Sequence, residues 1–279
     1  MIRRRVGNEF WLITQHDHAL LSGELARRVG NKLFDPLSES AIRGISLHDC
    51  GWPVHDDQPT LNSKHHPIDV FESTPSIALK VWQAASDRAA EAGDDYAALL
   101  VSLHVLSLSV KSTTPTREQH EHLDMKDAKT RFEVNRFQHN QIELQERLRE
   151  KLGLPLHVPM RHGLAEEPNT PAELALHFHF RILQAMDFIS LALCCTNPPV
   201  EQIQNVMPRA GARPLTVHVK RGAPGILKVS PWMFQTEVES AAVPYRAVPA
   251  RNYESEEEFR EAYRGAREDQ MQFDLRPGE

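Results

Sequence analysis

The period of the hydrophobic residues changes twice along this chain, and those two changes constrain its fold more than any other feature. Ile2 to Val6 and Phe10 to Thr14 flank a Gly7-Asn8 turn, which predicts a β-hairpin over residues 1 to 14. From Asp17 the spacing turns helical, with Leu21, Leu25 and Val29 on one stripe, Asp17 placed as its cap and Gly30 as its stop. A second helix is expected from about Ser40 to Asp49, closed by Gly51 and Pro53. Residues 50 to 72 are rich in Pro, Asp, His and Asn and read as a long surface loop. Further helices are predicted over Pro75 to about Ala92, Asp94 to about Lys111 and about Arg117 to Leu152. Thr170-Pro171 opens a last long helix through Leu193, and Asn197-Pro198-Pro199 ends the helical part.

After residue 213 the period shortens again. Leu215 to Lys220, Ile226 to Ser230 and Val238 to Val248 read as strands, Glu254 to Glu268 as an exposed charged helix, and the last ten residues as a tail. The expected architecture is mainly α, and α+β overall: a helical bundle over residues 15 to 196, with a small antiparallel β-sheet formed by the N-terminal hairpin and the C-terminal segment. It is read as a single compact domain over 1-279, in which residues 1 to 14 and 197 to 279 make a small β-containing subdomain.

Composition excludes several classes. Over 279 residues, 41% hydrophobic and 25% charged content matches globular usage and excludes wholesale disorder. A net charge of -6 gives no reason to expect nucleic acid or an anionic membrane as partner. The longest nearly apolar stretch, Leu99 to Val110, is interrupted by Ser102, His104, Ser107 and Ser109 and is too short to span a bilayer. Behind Arg3-Arg4-Arg5 the apolar run covers only Phe10 to Ile13, so no signal-peptide core is expected. The three cysteines, two of them adjacent at Cys194-Cys195, suit buried thiols in a reducing cytoplasm. Histidine is in excess: 15 residues outnumber the 13 glycines, which directs attention to the commonest metal ligand.

Placement decides which histidines matter. Ile42, Ile45 and Asp49 recur at i, i+3 and i+7, so a carboxylate stands on the stripe that must face the core. His18 leads the stripe Leu21, Leu25, Val29; His104 follows Leu100 and Val101; Asp187 follows Phe180 and Leu183. A buried carboxylate must be paired, hydrogen-bonded or bound to a metal, and imidazoles with carboxylates meeting in one core form a site for a divalent transition metal. Singly, each has a plainer reading: His104 as a hydrogen-bonded core histidine, Asp187 as a partner of Arg181. His16 competes with His18, but two residues apart on a helix they point about 200° away from each other; His18 is chosen for its apolar stripe.

The order of an early His, a His-Asp pair and a distant Asp across successive helices resembles the HD superfamily of metal-dependent phosphohydrolases. More closely, the strings ITQHDHALLSGELARR, SLHDCGW, LLVSLH and LQAMDFISLALC, with the late VSPWMF, resemble an uncharacterised bacterial family, domain of unknown function 3891, across almost the whole chain. The resemblance implies an HD-like helical bundle. It also implies a divalent transition metal (Mn, Fe, Co or Zn) held by His18, His48, Asp49 and Asp187, with Asp49 and His104 in catalytic roles. Further histidines in some HD proteins hold a second metal, which maps here onto His104, His65 or His66 as second-metal or substrate contacts. Cys50-Gly51-Trp52 stands after the His-Asp pair, where many such phosphohydrolases carry a lysine.

The function expected on this basis is hydrolysis of a small phosphorylated substrate, a phosphomonoester or nucleotide-like molecule, with Arg181 and Lys80 as phosphate contacts or as plain surface charges. The alternatives are a dinuclear iron oxygenase on the same scaffold, which needs a second full set of ligands, and a non-catalytic regulatory or ligand-binding module whose inward polar groups satisfy one another.

Overall fold

The computed structural model describes residues 1–113, 125–156, 160–161, 163–197 and 199–278. The hairpin forms as its turn residues dictate: β1 (Ile2–Val6) pairs with β2 (Glu9–Ile13) around Gly7, whose positive φ of 56° suits a residue without a side chain. Helix α1 (Gln15–Arg27) starts at Thr14, whose hydroxyl accepts the Asp17 backbone N–H. Thr14 is therefore the cap, and Asp17 lies in the first turn, where its charge favours the helix N-terminus.

Next come α2 (Glu39–Leu47), capped by Ser38, and the one-turn α3 (Pro53–Asp56). The 50–72 stretch is more ordered than its composition suggests, because it also holds a 3-10 turn at Val70–Glu72 and a bridge between Leu61 and Pro67. Asp56, within the stretch expected to be surface loop, is buried: its carboxylate accepts from the Met1 amine at 2.9 Å and from the Gln15 backbone N–H at 2.9 Å. Helices α4 (Pro75–Glu91), α5 (Asp95–Thr113), α6 (Ala128–Leu152) and α7 (Pro171–Cys194) follow. The expected helix start near Arg117 lies outside the described residues. A two-stranded ribbon of β3 (Met160–Arg161) and β4 (Leu164–Ala165) precedes α7.

The remaining elements are β5 (Gln202–Val206), β6 (Leu215–Arg221), β7 (Ile226–Ser230), β8 (Glu239–Pro249), α8 (Glu256–Gly265) and β9 (Glu268–Pro277). Together with the hairpin they form a seven-stranded curled sheet in the order β1-β2-β8-β9-β7-β6-β5. The expectation of a mainly α bundle with a small antiparallel sheet is thus corrected. Over the described residues the protein is an α+β fold, 47% helical, and its main sheet is mixed because β7 and β9 run parallel. The physical reason lies in β9. Met271, Phe273 and Leu275 alternate into the core while Gln270 and Gln272 stay exposed, a period of two masked by the surrounding charges. Read as a tail, this segment in fact joins the two halves of the sheet.

One hydrophobic cluster runs from the helices into the sheet, uniting Leu21, Leu25 and Met186 with Val219, Val243 and Phe273. A smaller cluster under α8 is built on Phe10, Leu12, Val248, Tyr253 and Phe259. Two sheet arginines close the carbonyl end of α7, where helix dipole and orphan carbonyls favour cations. Arg4 Nη1 donates to Leu193 O at 2.9 Å, and Arg221 donates to Thr196 O at 2.6 Å and Ala192 O at 3.0 Å.

Polar groups are also buried away from the sheet. Ser102 Oγ donates to Gln141 Oε1 at 2.9 Å and accepts from Gln145 Nε2 at 3.0 Å, while Gln141 Nε2 donates to Ser86 Oγ at 3.0 Å. Nearby, Arg149 pairs with Glu173, both 1% exposed, and donates to Gly163 O at 2.7 Å. Among the described residues no helix is long and apolar enough to cross a membrane.

Candidate metal centre

Four helices carry polar side chains into one buried point. His18 stands in the first turns of α1, His48 and Asp49 directly follow α2, His104 is mid-way along α5 and Asp187 lies two turns before the end of α7. All five are under 9% exposed, and both His18 and His48 are 0% exposed. Close backbone approaches hold the array. A Cβ on Gly23 of α1 would fall 1.8 Å from Ser46 Oγ, so α1 and α2 touch where only glycine fits. A Cβ on Gly51 would fall 1.9 Å from Val81 O, which seats the His48-Asp49 turn on α4. Arg88 of α4 ties the same turn by donating to Cys50 O at 2.6 Å.

Atom by atom, the donors converge. His18 Nε2 is 3.2 Å from His48 Nε2, 3.5 Å from Asp49 Oδ2 and 3.3 Å from Asp187 Oδ1. His48 Nε2 is 3.6 Å from each of those same two oxygens. His104 Nε2 lies 3.8 Å from the other Asp187 oxygen, Oδ2. Two overlapping groups, His18-His48-Asp49 and His48-His104-Asp187, have ligand atoms all within 4.8 Å of one another. Bonds of about 2.1 Å to a transition ion place neighbouring donor atoms roughly 3.0 to 3.4 Å apart, close to the inner separations here.

The outward nitrogens decide what the inner ones can do. His48 Nδ1 donates to Ile45 O at 2.7 Å, which leaves the Nε2 of the neutral ring as a lone pair. His18 Nδ1 is 2.6 Å from Ser190 Oγ, whose own hydroxyl is 2.9 Å from Asp187 O. With Ser190 donating to that carbonyl, it accepts from His18 Nδ1–H, and His18 Nε2 also turns a lone pair inward. Ser22 Oγ, 2.8 Å from Ser190 Oγ, completes the brace.

With both rings neutral, acceptors face acceptors, so the centre draws positive charge, either as a proton on His18 or His48 or as a cation. Burial alone would lower the His18 pKa, but hydrogen bonding and charge from Asp187 and Asp49 outweigh it and raise it to about 9. The same balance raises His48, against burial, through Asp49 and Asp187. Asp49 and Asp187 are driven below the usual carboxylate range because the histidines overcome their burial. His104 differs: burial dominates and brings it down to about 4, so it is neutral at physiological pH. Its Nδ1 has no hydrogen-bond partner among the described residues.

Of the residues singled out in the sequence, His18, His48, Asp49, His104 and Asp187 come together. His65, His66 and Lys80 do not. His65 Nδ1 donates to Tyr253 O at 2.9 Å and His66 Nε2 is 3.2 Å from Asn252 Oδ1, so both fasten the 50–72 stretch to the segment before α8. Lys80 is exposed on α4, near His55. His16 is half-buried and outside the cluster. Arg181 pairs not with Asp187 but with Gln184, donating to Oε1 at 2.8 Å. Sequence reasoning missed Ser22 and Ser190, which brace His18, and Lys111. Lys111 follows His104 at i+7, a spacing that could have revealed it; its charge is felt at both His104 and Asp187.

The fold and site together define an α+β protein with a buried three-histidine, two-aspartate cluster between helices. The chain belongs to the family described as "Protein of unknown function (DUF3891)", whose model matches residues 1–250 and so includes every residue of the cluster. No curated protein and no solved structure was found to match it.

Proposed function

We propose that this protein is a metal-dependent phosphohydrolase of HD type, acting on a small phosphomonoester or nucleotide-like substrate. The observation that carries the reading is the meeting of inward lone pairs: two Nε2 atoms 3.2 Å apart, flanked by two carboxylates, with each outer nitrogen already engaged. Two carboxylates and two imidazoles buried together are costly without positive charge between them, which protons on the rings can carry and which a divalent cation would fit. Imidazole with carboxylate suits Mn, Fe, Co or Zn. His18, His48, Asp49 and Asp187 would hold the ion, which supplies an activated water at neutral pH and a polarised phosphoryl oxygen.

The chain's own residues then have distinct tasks. Asp49 contributes negative charge and orients the water. His104, neutral and with an unspent nitrogen, accepts a hydrogen bond or a proton beside Asp187. One ion is favoured over two because His48 Nε2, common to both groups, has a single lone pair; a second ion would keep only His104 and Asp187 Oδ2. That argues against the dinuclear oxygenase alternative. Three buried free thiols fit a reducing cytoplasm.

The test is metal analysis of the purified protein, followed by phosphomonoester hydrolysis with Mn²⁺, Mg²⁺, Co²⁺ and Fe²⁺ in turn. Stoichiometric metal with metal-dependent phosphate release is expected; protein that binds none of these ions and releases no phosphate would overturn the reading.

A further inference from the structure

Helices α5 and α7 meet beside the cluster, and their facing residues continue past it. On α5, Ser107 and Lys111 follow His104 at i+3 and i+7 and so share its face. On α7, Arg181, Gln184 and Phe188 recur at i, i+3 and i+7, alongside Asp187. The two rows are joined: Gln184 Nε2 donates to Ser107 Oγ at 3.3 Å, and Gln184 Oε1 accepts from Arg181 Nη1 at 2.8 Å. Lys111 Nζ lies 5.8 Å from the Phe188 ring centroid. Two cations thus stand on adjoining helix faces at the edge of the centre.

Neither cation has a carboxylate within 4 Å among the described residues, although the chain carries 38 acidic residues. Burial lowers the Lys111 pKa, Asp187 raises it and Arg181 lowers it again, and burial lowers that of Arg181. Most of their N–H donors remain unspent on the described residues, while Gln184 fixes the guanidinium plane. A planar fork held by Gln184 beside an ammonium is the arrangement that grips a tetrahedral oxyanion. Two positive charges match the dianion of a phosphomonoester.

We propose that Lys111 and Arg181, with Gln184 aligning the guanidinium, form the phosphoryl-binding subsite of the centre, so that the substrate is a terminal phosphomonoester presented to the cluster by its dianionic group. This rests on the phosphohydrolase reading for its substrate but on the two cations for its binding. Lys111 and Arg181 touch the substrate; Gln184 acts through Arg181 as a positioning residue.

The test uses full-length protein and Lys111→Met, Arg181→Met and Gln184→Leu variants, each checked for an unchanged melting profile. Affinity for inorganic phosphate is measured calorimetrically with and without Mn²⁺, Mn²⁺ content is measured on the same samples, and KM and kcat are taken with p-nitrophenyl phosphate. The Lys111 and Arg181 variants should each lose about tenfold or more in phosphate affinity, with KM rising and Mn²⁺ content unchanged. Gln184→Leu should lose less, and Lys111→Arg should recover part of the affinity. Wild-type phosphate affinity in both Met variants, or a wild-type protein that binds no phosphate in either condition, overturns the subsite. Wild-type protein that takes up no Mn²⁺, yet loses phosphate affinity in the variants, keeps the subsite and overturns the hydrolase reading instead.

Discussion

The protein buries two polar clusters, and they are built on opposite rules. Between α4, α5 and α6, side chains pair in a chain: Gln145 gives to Ser102, Ser102 to Gln141 and Gln141 to Ser86, and beside them Arg149 gives to Glu173 and Gly163 O, with only Arg149 Nε and Glu173 Oε2 left without a partner among the described residues. Between α1, α2, α5 and α7, donors point outward to Ile45 O and Ser190 while acceptors converge on one another. The first arrangement is largely complete within the chain and serves packing. The second gathers acceptors that draw positive charge, which on the proposed reading a metal ion would supply.

Substitutions can break this contrast from either side. The largest effect is expected for Arg149→Met, which leaves the Glu173 carboxylate buried without its partner and should cost about 3 to 5 kcal/mol in chemical denaturation, with metal content per folded molecule unchanged. Asp49→Asn should do the reverse: metal affinity and phosphate release should fall by more than about 100-fold, beyond what loss of an outer partner costs, while circular dichroism keeps the helical signal. Full metal content with undiminished turnover in that variant would put Asp49 in the structural class. Ser190→Ala removes the acceptor of His18 Nδ1–H and should weaken metal binding by about 10- to 100-fold, read by competition with a chelating dye. The smallest effect belongs to Gln145→Leu, which removes one satisfied hydrogen bond and should lower stability by about 1 kcal/mol without touching metal uptake.

The cluster was more legible than the fold around it. By their spacing in the sequence, His18, Asp49, His104 and Asp187 each fall on an otherwise apolar helical stripe, and a polar residue there has few cheap explanations, so placement pointed inward without any knowledge of topology. The neighbouring loop misled because composition is a poor guide to burial: His65 and His66 looked available but are spent on Asn252 and Tyr253, nearly two hundred residues away in sequence. The sheet was underestimated for a related reason. Strand pairing is settled by distant partners, so β5, whose Gln202, Gln204 and Asn205 are exposed, and β9, crowded with charge, reveal their strand character only through what they pair with. The residue that most escaped was Ser190, a hydroxyl among apolar neighbours on α7, whose role depends entirely on the tautomer of a histidine on another helix.

The position of β9 sets an order of assembly. During synthesis β1, β2 and β8 emerge before it on one side and β5, β6 and β7 on the other, and only β9 bridges β8 to β7. The helices that carry His18, His48, His104 and Asp187 are all made earlier, yet Arg4 and Arg221, which close the end of α7, come from opposite halves of that sheet. Contacts so far apart in sequence form slowly, so the nascent helices wait with their apolar faces uncovered until β9 is placed. The residues of the centre are therefore all made before the strand that joins the sheet, and a ribosome-bound chain halted before β9 should be an aggregation-prone species rather than a working half.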